Sequence, residues 1–222
     1  GILTRVTLRC VPAFRLRAVE EEGALEEALD ALPELAREDE HVKLWWLPHT
    51  DRALVIRQNR TDDPSERSGL GTFVKEYLAR TLFLGTGIHL TGWVPGWVPS
   101  FNRLMMKVTP EREEYVDRSD RVFTFPVTLR HLECEYAIPA SRATEALRAL
   151  RERMADEDLR ANLIVETRFA AADDAWLSPA FDRTSCYIGV LQHRALPHED
   201  YFRAFEEIMW DLGGRPHWGK LH

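Results

Sequence analysis

Apolar and polar positions alternate with a period of two along Ile2-Leu3-Thr4-Arg5-Val6-Thr7-Leu8-Arg9-Cys10, which predicts a strand at the start of the chain. Gly1 therefore reads as a cut inside a longer polypeptide, and His222 likewise. Residues 24–37 carry leucines at helical spacing, with Pro33 placed to kink or divide the segment. His41 to Pro48 and Ala53 to Gln58 are rich in strand formers and flank a turn-prone His49-Thr50-Asp51-Arg52, a hairpin pattern. Residues 66–107 are less regular. A helix is expected near 72–84, then a Gly/Pro/Trp-rich stretch from Gly85 to Pro99 and the run Phe101 to Lys107, together a helical insertion that fits a partner surface. In the second half, His131 to Ile138, Leu163 to Phe169 and Cys186 to Gln192 read as strands. Ser141 to Met154 reads as a helix with Ser141 as its cap and Glu145 near the capping-box position, and Tyr201 to Leu212 as a helix ended by Gly213-Gly214. Without a Gly-rich parallel βαβ rhythm, the pattern predicts an α+β fold, a largely antiparallel sheet flanked by helices.

Composition narrows the function classes. A hydrophobic fraction of 45% and a charged fraction of 29% over 222 residues describe a folded globular chain. A net charge of −7 excludes a general nucleic-acid binder, which needs clustered Lys and Arg. Cys10, Cys134 and Cys186 lack the spacing of a zinc site or a disulfide framework, so a reducing compartment is expected. No run approaches the ~20 apolar residues of a membrane span, and the expected location is cytoplasmic or peripheral to a membrane. Lys43, Lys75, Lys107 and Lys220 are the only lysines, which draws attention to each that lies in a motif.

Glu166-Thr167-Arg168 lies within a strand, where a spacing of two puts carboxylate and guanidinium on one face. The pair suits a polyol, with acceptors for hydroxyls and fixed donors for a developing anion; a solvated surface ion pair is the competing reading. Gly213-Gly214-Arg215-Pro216-His217-Trp218-Gly219-Lys220 turns off a helix and then presents a histidine, an indole and a lysine, either toward a ligand or as a helix cap with basic residues near its dipole. Asp173-Asp174 reads as a structural turn, because two adjacent carboxylates are too few for a divalent ion. His193 and His198 straddle a proline and form no metal pair; no metal is expected. Cys186 reads as a buried, unreactive thiol. No glycine-rich nucleotide loop occurs.

Several stretches together resemble one family, the sugar-1,4-lactone oxidases (L-gulonolactone, L-galactonolactone and D-arabinonolactone enzymes), with alditol oxidases as relatives. They are Val6 to Phe14, Lys43 to Thr50, Glu166 to Arg168, Asp173 to Pro179, Arg183 with Ser185-Cys186-Tyr187, and most specifically Gly213 to Lys220; residues 66–130 match least. The resemblance implies a flavoenzyme of the vanillyl-alcohol-oxidase type, with residues 1–20 leading out of an absent FAD-binding domain and 21–222 forming the substrate-binding cap without its final tail. FAD would be held mainly by the absent domain, the partners being a sugar lactone, oxygen or another electron acceptor, and the chain's own FAD domain; this chain alone would be inactive. By the same resemblance Glu166 orients substrate hydroxyls, Arg168 stabilises charge on the reduced flavin, Lys220 binds substrate or flavin oxygen, and His217 and Trp218 wall the site. Gly189 and Leu191 stand where alditol oxidases carry a histidine and a threonine, and this favours a cyclic lactone over an alditol. A stand-alone carbohydrate-binding module is the alternative of another class, and it would have a closed polar surface rather than a bare apolar one.

Overall fold

The computed structural model describes Thr4, Arg5 and residues 7–65, 85–124 and 129–222. Its strands are β1 (Arg15–Ala24), β2 (His41–Trp46), β3 (Arg52–Thr61), β4 (Arg112–Arg118), β5 (His131–Pro139), β6 (Val165–Ala170), β7 (Ser185–His193) and β8 (Arg215–Pro216). They form one antiparallel eight-stranded sheet in the order β4-β1-β3-β2-β6-β7-β5-β8. Helices α1 (Leu25–Glu38), α5 (Ala143–Asp156) and α6 (Glu199–Asp211) cover one face; α2 (Gly85–Trp93), α3 (Val98–Val108) and the single turn α4 (Ser119–Val122) lie between β3 and β5 in the chain. The expected α+β class is the observed one.

Alternation along the strands divides the sheet into two unlike faces. Leu44 and Trp46, Val165, Cys186, Ile188 and Val190, and Cys134, Tyr136 and Ile138 point into the helix layer and are buried with Leu29 and Leu32 of α1, Leu147 and Leu150 of α5, and Phe205 and Met209 of α6. The residues between them in each strand face the other way, and that second face carries the charge.

Two local expectations change, and a third resolves to one of its alternatives. The first strand runs from Arg15 to Ala24; the described residues before it carry no strand. β1 looks polar in isolation, but its acids are satisfied across the sheet, Glu21 by Arg57 at 2.7 Å and by Arg112, and Glu22 by Arg52. Pro33 does not divide α1, which is continuous. The carbonyl that lacks its helical N–H donor because of Pro33 is that of Leu29, and Thr144 of the adjacent α5 donates its hydroxyl there at 3.2 Å. Ser141 does not cap α5: Ala140–Arg142 form a 3-10 turn, the helix starts at Ala143, and Arg142 pairs instead with Glu145. The hairpin and the helix after His198 follow expectation, the latter closed by Gly213 at φ +71°.

The helix expected near 72–84 lies outside the described residues. The stretch after it is more regular than its glycines suggest, because α2 spans Gly85–Trp93. Gly87 is needed there: a Cβ would lie 2.1 Å from the Phe101 ring of α3. The pair is tied by buried amides to the loops that follow β2 and precede β6. Asn102 donates to the carbonyls of Pro48 and Ala161 at 2.8 and 2.9 Å, and Asn162 to the Thr91 hydroxyl at 2.9 Å. Leu90, Trp93, Trp97, Leu104 and Val108 stay exposed on its outside.

Candidate active site on the charged sheet face

Strand register places the candidate residues. Trp45 pairs with Glu166 and Lys43 with Arg168 across β2 and β6. Glu166 then pairs with Gly189, and Arg168 with Tyr187, across β6 and β7. Gly189 pairs in turn with Glu135 of β5. Directly paired residues share a face, so Lys43, Trp45, Glu166, Arg168, Tyr187, Gly189 and Glu135 lie together, with Glu133 two residues along β5.

Glu166 and Arg168 do share a face, but their mutual contact is the weaker one. Arg168 Nε stands 3.7 Å from Glu166, whereas Arg168 Nη2 donates to Glu135 Oε1 at 2.9 Å. Glu166 accepts from the Trp45 indole at 3.0 Å. Gly189 makes the diagonal Arg168–Glu135 contact possible. Its missing side chain leaves the space between the two strands open, and a Cβ there would sit 3.3 Å from a Glu133 carboxylate oxygen and 3.7 Å from the Glu135 side chain.

The C-terminal segment reaches the same face by running along β5. Gly214 follows α6 in a position closed to any side chain, since a Cβ would lie 2.6 Å from the Met209 carbonyl. Beyond β8, the His217 N–H donates to the Glu135 carbonyl at 2.9 Å, and the Leu221 N–H to the Glu133 carbonyl at 3.0 Å. Lys220 is thereby set against the Glu133 carboxylate, with which it forms an ion pair. The His217 ring closes the turn by accepting from the Gly219 N–H at 3.1 Å. Trp218 stays two-thirds exposed and donates to the Leu177 carbonyl at 2.9 Å, joining this segment to the loop after β6.

Of the residues singled out in the sequence, Arg168 and Lys220 thus meet two acids of β5, Glu166 stands beside Arg168, the His217 backbone joins β5, and Trp218 lies at the rim. Glu133, Glu135 and Trp45 are additions from the structure, and Lys43, noted in the sequence only as a motif lysine, joins them. The strand His131 to Ile138 carried a usable signal, since Glu133 and Glu135 show the same spacing of two as Glu166 and Arg168. Acids and bases balance here: Glu133, Glu135 and Glu166 against Lys43, Arg168 and Lys220. Burial pulls the Lys43 amine below its ordinary range, with Glu166 opposing; burial pushes the Glu135 carboxyl up, with Arg168 opposing.

The remaining candidates are structural. Asp173 accepts from the Ala175 N–H at 3.0 Å, which makes the Asp173-Asp174 segment a turn. Cys186 is buried, and burial pushes its thiol well above the ordinary range. Among the described residues no cluster of three or more His, Cys, Asp or Glu side chains forms a metal site, and no helix is long and apolar enough to cross a membrane.

The family model of D-arabinono-1,4-lactone oxidase matches residues 6–222. The chain belongs to that family. Its relatives include an L-gulono-1,4-lactone dehydrogenase of Mycobacterium tuberculosis, 35% identical over 226 residues, and an L-gulonolactone oxidase of Scyliorhinus torazame, 33% identical over 235 residues. Both alignments cover 100% of this chain but only 52% and 51% of the relative, so the chain spans about half the length of the curated relatives it matches. Among solved structures, cholesterol oxidase from B. sterolicum shares the fold with a TM-score of 0.67 at 15% identity, over 94% of this chain and 49% of the oxidase. A VAO-type flavoprotein from Myceliophthora thermophila matches with a TM-score of 0.51 at 12% identity, over 95% of this chain and 41% of that protein. This member of the D-arabinono-1,4-lactone oxidase family is thus related to lactone oxidoreductases throughout its length, and its fold matches about half of the cholesterol oxidase chain.

Proposed function

We propose that this chain is the substrate-binding half of an FAD-dependent oxidoreductase acting on the alcohol carbon of a sugar 1,4-lactone of the D-arabinono-, L-gulono- or L-galactono type. The observation that carries the reading is the convergence of Glu166, Arg168 and Lys220 on one sheet face from two distant segments, bridged by Glu135 and Glu133. Such a face offers acceptors and donors in fixed positions to a small hydroxylated ring.

FAD, when bound, would supply the redox chemistry, a hydride-accepting ring whose electrons would go on to oxygen or another acceptor. The donor set fits one edge of that cofactor: Arg168 and Lys220 present a guanidinium and an ammonium suited to electron-rich ring oxygens. Its phosphates have no counterpart here, since the chain holds no glycine-rich loop, and we assign the bulk of FAD binding to the part of the whole protein outside this sequence. In this reading the residues before β1 lead out of that part, and the chain alone is inactive.

Glu166 holds substrate hydroxyls, already oriented by the Trp45 indole. Arg168 and Lys220 keep positive charge beside the reacting end, and His217 and Trp218 wall it on the C-terminal side. Gly189 keeps the floor of the site low, which suits a ring lactone better than a side chain reaching up to an extended alditol would. The exposed Trp176, Leu177, Trp218 and Leu221 beside the site support a cap that closes on another domain over a self-contained carbohydrate-binding module.

Replacing Glu166 with glutamine in the full-length protein tests the assignment. Glutamine keeps an acceptor for Trp45 but loses the charge that strengthens hydrogen bonds from hydroxyls, so KM for L-gulono-1,4-lactone is expected to rise by about tenfold or more with flavin content unchanged. A KM within twofold of the unmodified protein removes Glu166 from the substrate site.

A further inference from the structure

Glu135 is 2% exposed, and a carboxylate taken that far out of water is costly unless it is fully paired. One of its oxygens accepts from Arg168 at 2.9 Å, and the other has no hydrogen-bond partner among the described residues. The core does not call for an acid here, because Cys134 and Tyr136 on either side of it supply the packing against the helices. A half-satisfied buried acid on the site face is a feature that stability alone does not explain.

Arg168 has two carboxylates within reach, and they are not equivalent. Glu135 is almost fully buried and makes the direct hydrogen bond; Glu166 stands at 3.7 Å and is engaged by Trp45. Glu135 is itself fixed from both sides. Its strand pairs with β7 at Gly189, and the His217 N–H binds its carbonyl. Gly189, having no side chain, leaves the guanidinium a path to it.

We infer that Glu135, and not Glu166, is the positioning residue for Arg168. It holds the guanidinium against the sheet across the gap at Gly189 and so leaves Glu166 free for ligand hydroxyls. An arginine anchored by a buried partner keeps one orientation, whereas an exposed pair exchanges with water. The kinetic consequence rests on the function proposed above; the anchoring does not.

The test uses the full-length protein and two readouts. In its flavin-free form, labelling by the arginine reagent phenylglyoxal, followed at the Arg168 peptide by mass spectrometry, is expected to run about tenfold faster in Glu135→Leu than in the unmodified protein, with Glu135→Gln between them and Glu166→Gln within about twofold of the unmodified protein. In the flavin-loaded form, Glu135→Gln, which keeps size and an acceptor, is expected to lower kcat for the lactone by about tenfold with KM within about threefold. Equal Arg168 labelling in Glu135→Leu and the unmodified protein overturns the inference, as does faster labelling in Glu166→Gln than in Glu135→Gln. A lower melting temperature in the Glu135 variants with unaltered labelling and kcat also overturns it, because that is a purely structural effect. If the lactone fails to reduce the flavin of the unmodified protein, the proposed function falls while the labelling still decides the role of Glu135.

Discussion

Changing Arg168 to alanine in the full-length protein is expected to lower kcat for lactone oxidation by about 10²- to 10³-fold, the loss associated with removing one donor aimed at developing charge. The same change has a second, pH-dependent signature. Burial already places the Glu135 carboxyl above the ordinary glutamate value of 4.5, and Arg168 is the main group pulling it back. Without Arg168 the folded-state value climbs further. An acid whose folded pKa exceeds its unfolded one stabilises the native state below the unfolded value, and that contribution is lost as pH rises through the folded value. The melting-temperature deficit of Arg168→Ala is therefore expected to be larger at pH 8 than at pH 5, shrinking as pH falls toward 4.5. A deficit equal at both values would mean that Glu135 does not depend on Arg168 for its charge.

The largest effect on stability is expected from Phe205→Ala. Phe205 is fully buried on α6, edge-on to Tyr136 of β5 with ring centroids 6.0 Å apart. Truncation of such a ring costs about 3–5 kcal/mol, combining lost transfer energy with the cavity left behind. Urea unfolding followed by far-ultraviolet circular dichroism is expected to shift its midpoint down by roughly 1–2 M. Phe205 packs on the opposite side of β5 from Glu135, so KM for the lactone in the protein that remains folded is expected to change little. A shift under about 0.5 M would place the ring outside the cooperative core.

The sequence was legible where chemistry is local. Alternation in Lys43 to Trp46 and Val165 to Ala170 shows which residues share a face, and the Gly213-Gly214 stop sets where the chain leaves α6. Pairing between distant strands was not legible in this way. Nothing along Glu166-Thr167-Arg168 says that β7 lies beside it and β5 beyond, so the nearer acid in sequence looked like the partner of Arg168 and the nearer acid in space is Glu135. β1 is hidden in the sequence for a related reason: the partners of Glu21 and Glu22, which are Arg57, Arg112 and Arg52, arrive from neighbouring strands. Pro33 leaves α1 whole because the carbonyl it deprives of a donor is satisfied by Thr144 on another helix. The resemblance to lactone oxidases rested on short motifs at matching order, and the family match over residues 6–222 includes the stretch 66–130 where those motifs were weakest.

The most direct test of the central claim is anaerobic mixing of the full-length protein with L-gulono- or L-galactono-1,4-lactone, and separately with xylitol or sorbitol, while flavin absorbance is followed. Rapid bleaching by a lactone and slow or absent bleaching by the alditols is the predicted result. Bleaching by the alditols alone would contradict the lactone assignment and the reading of Gly189, and bleaching by none of them would contradict the proposed activity.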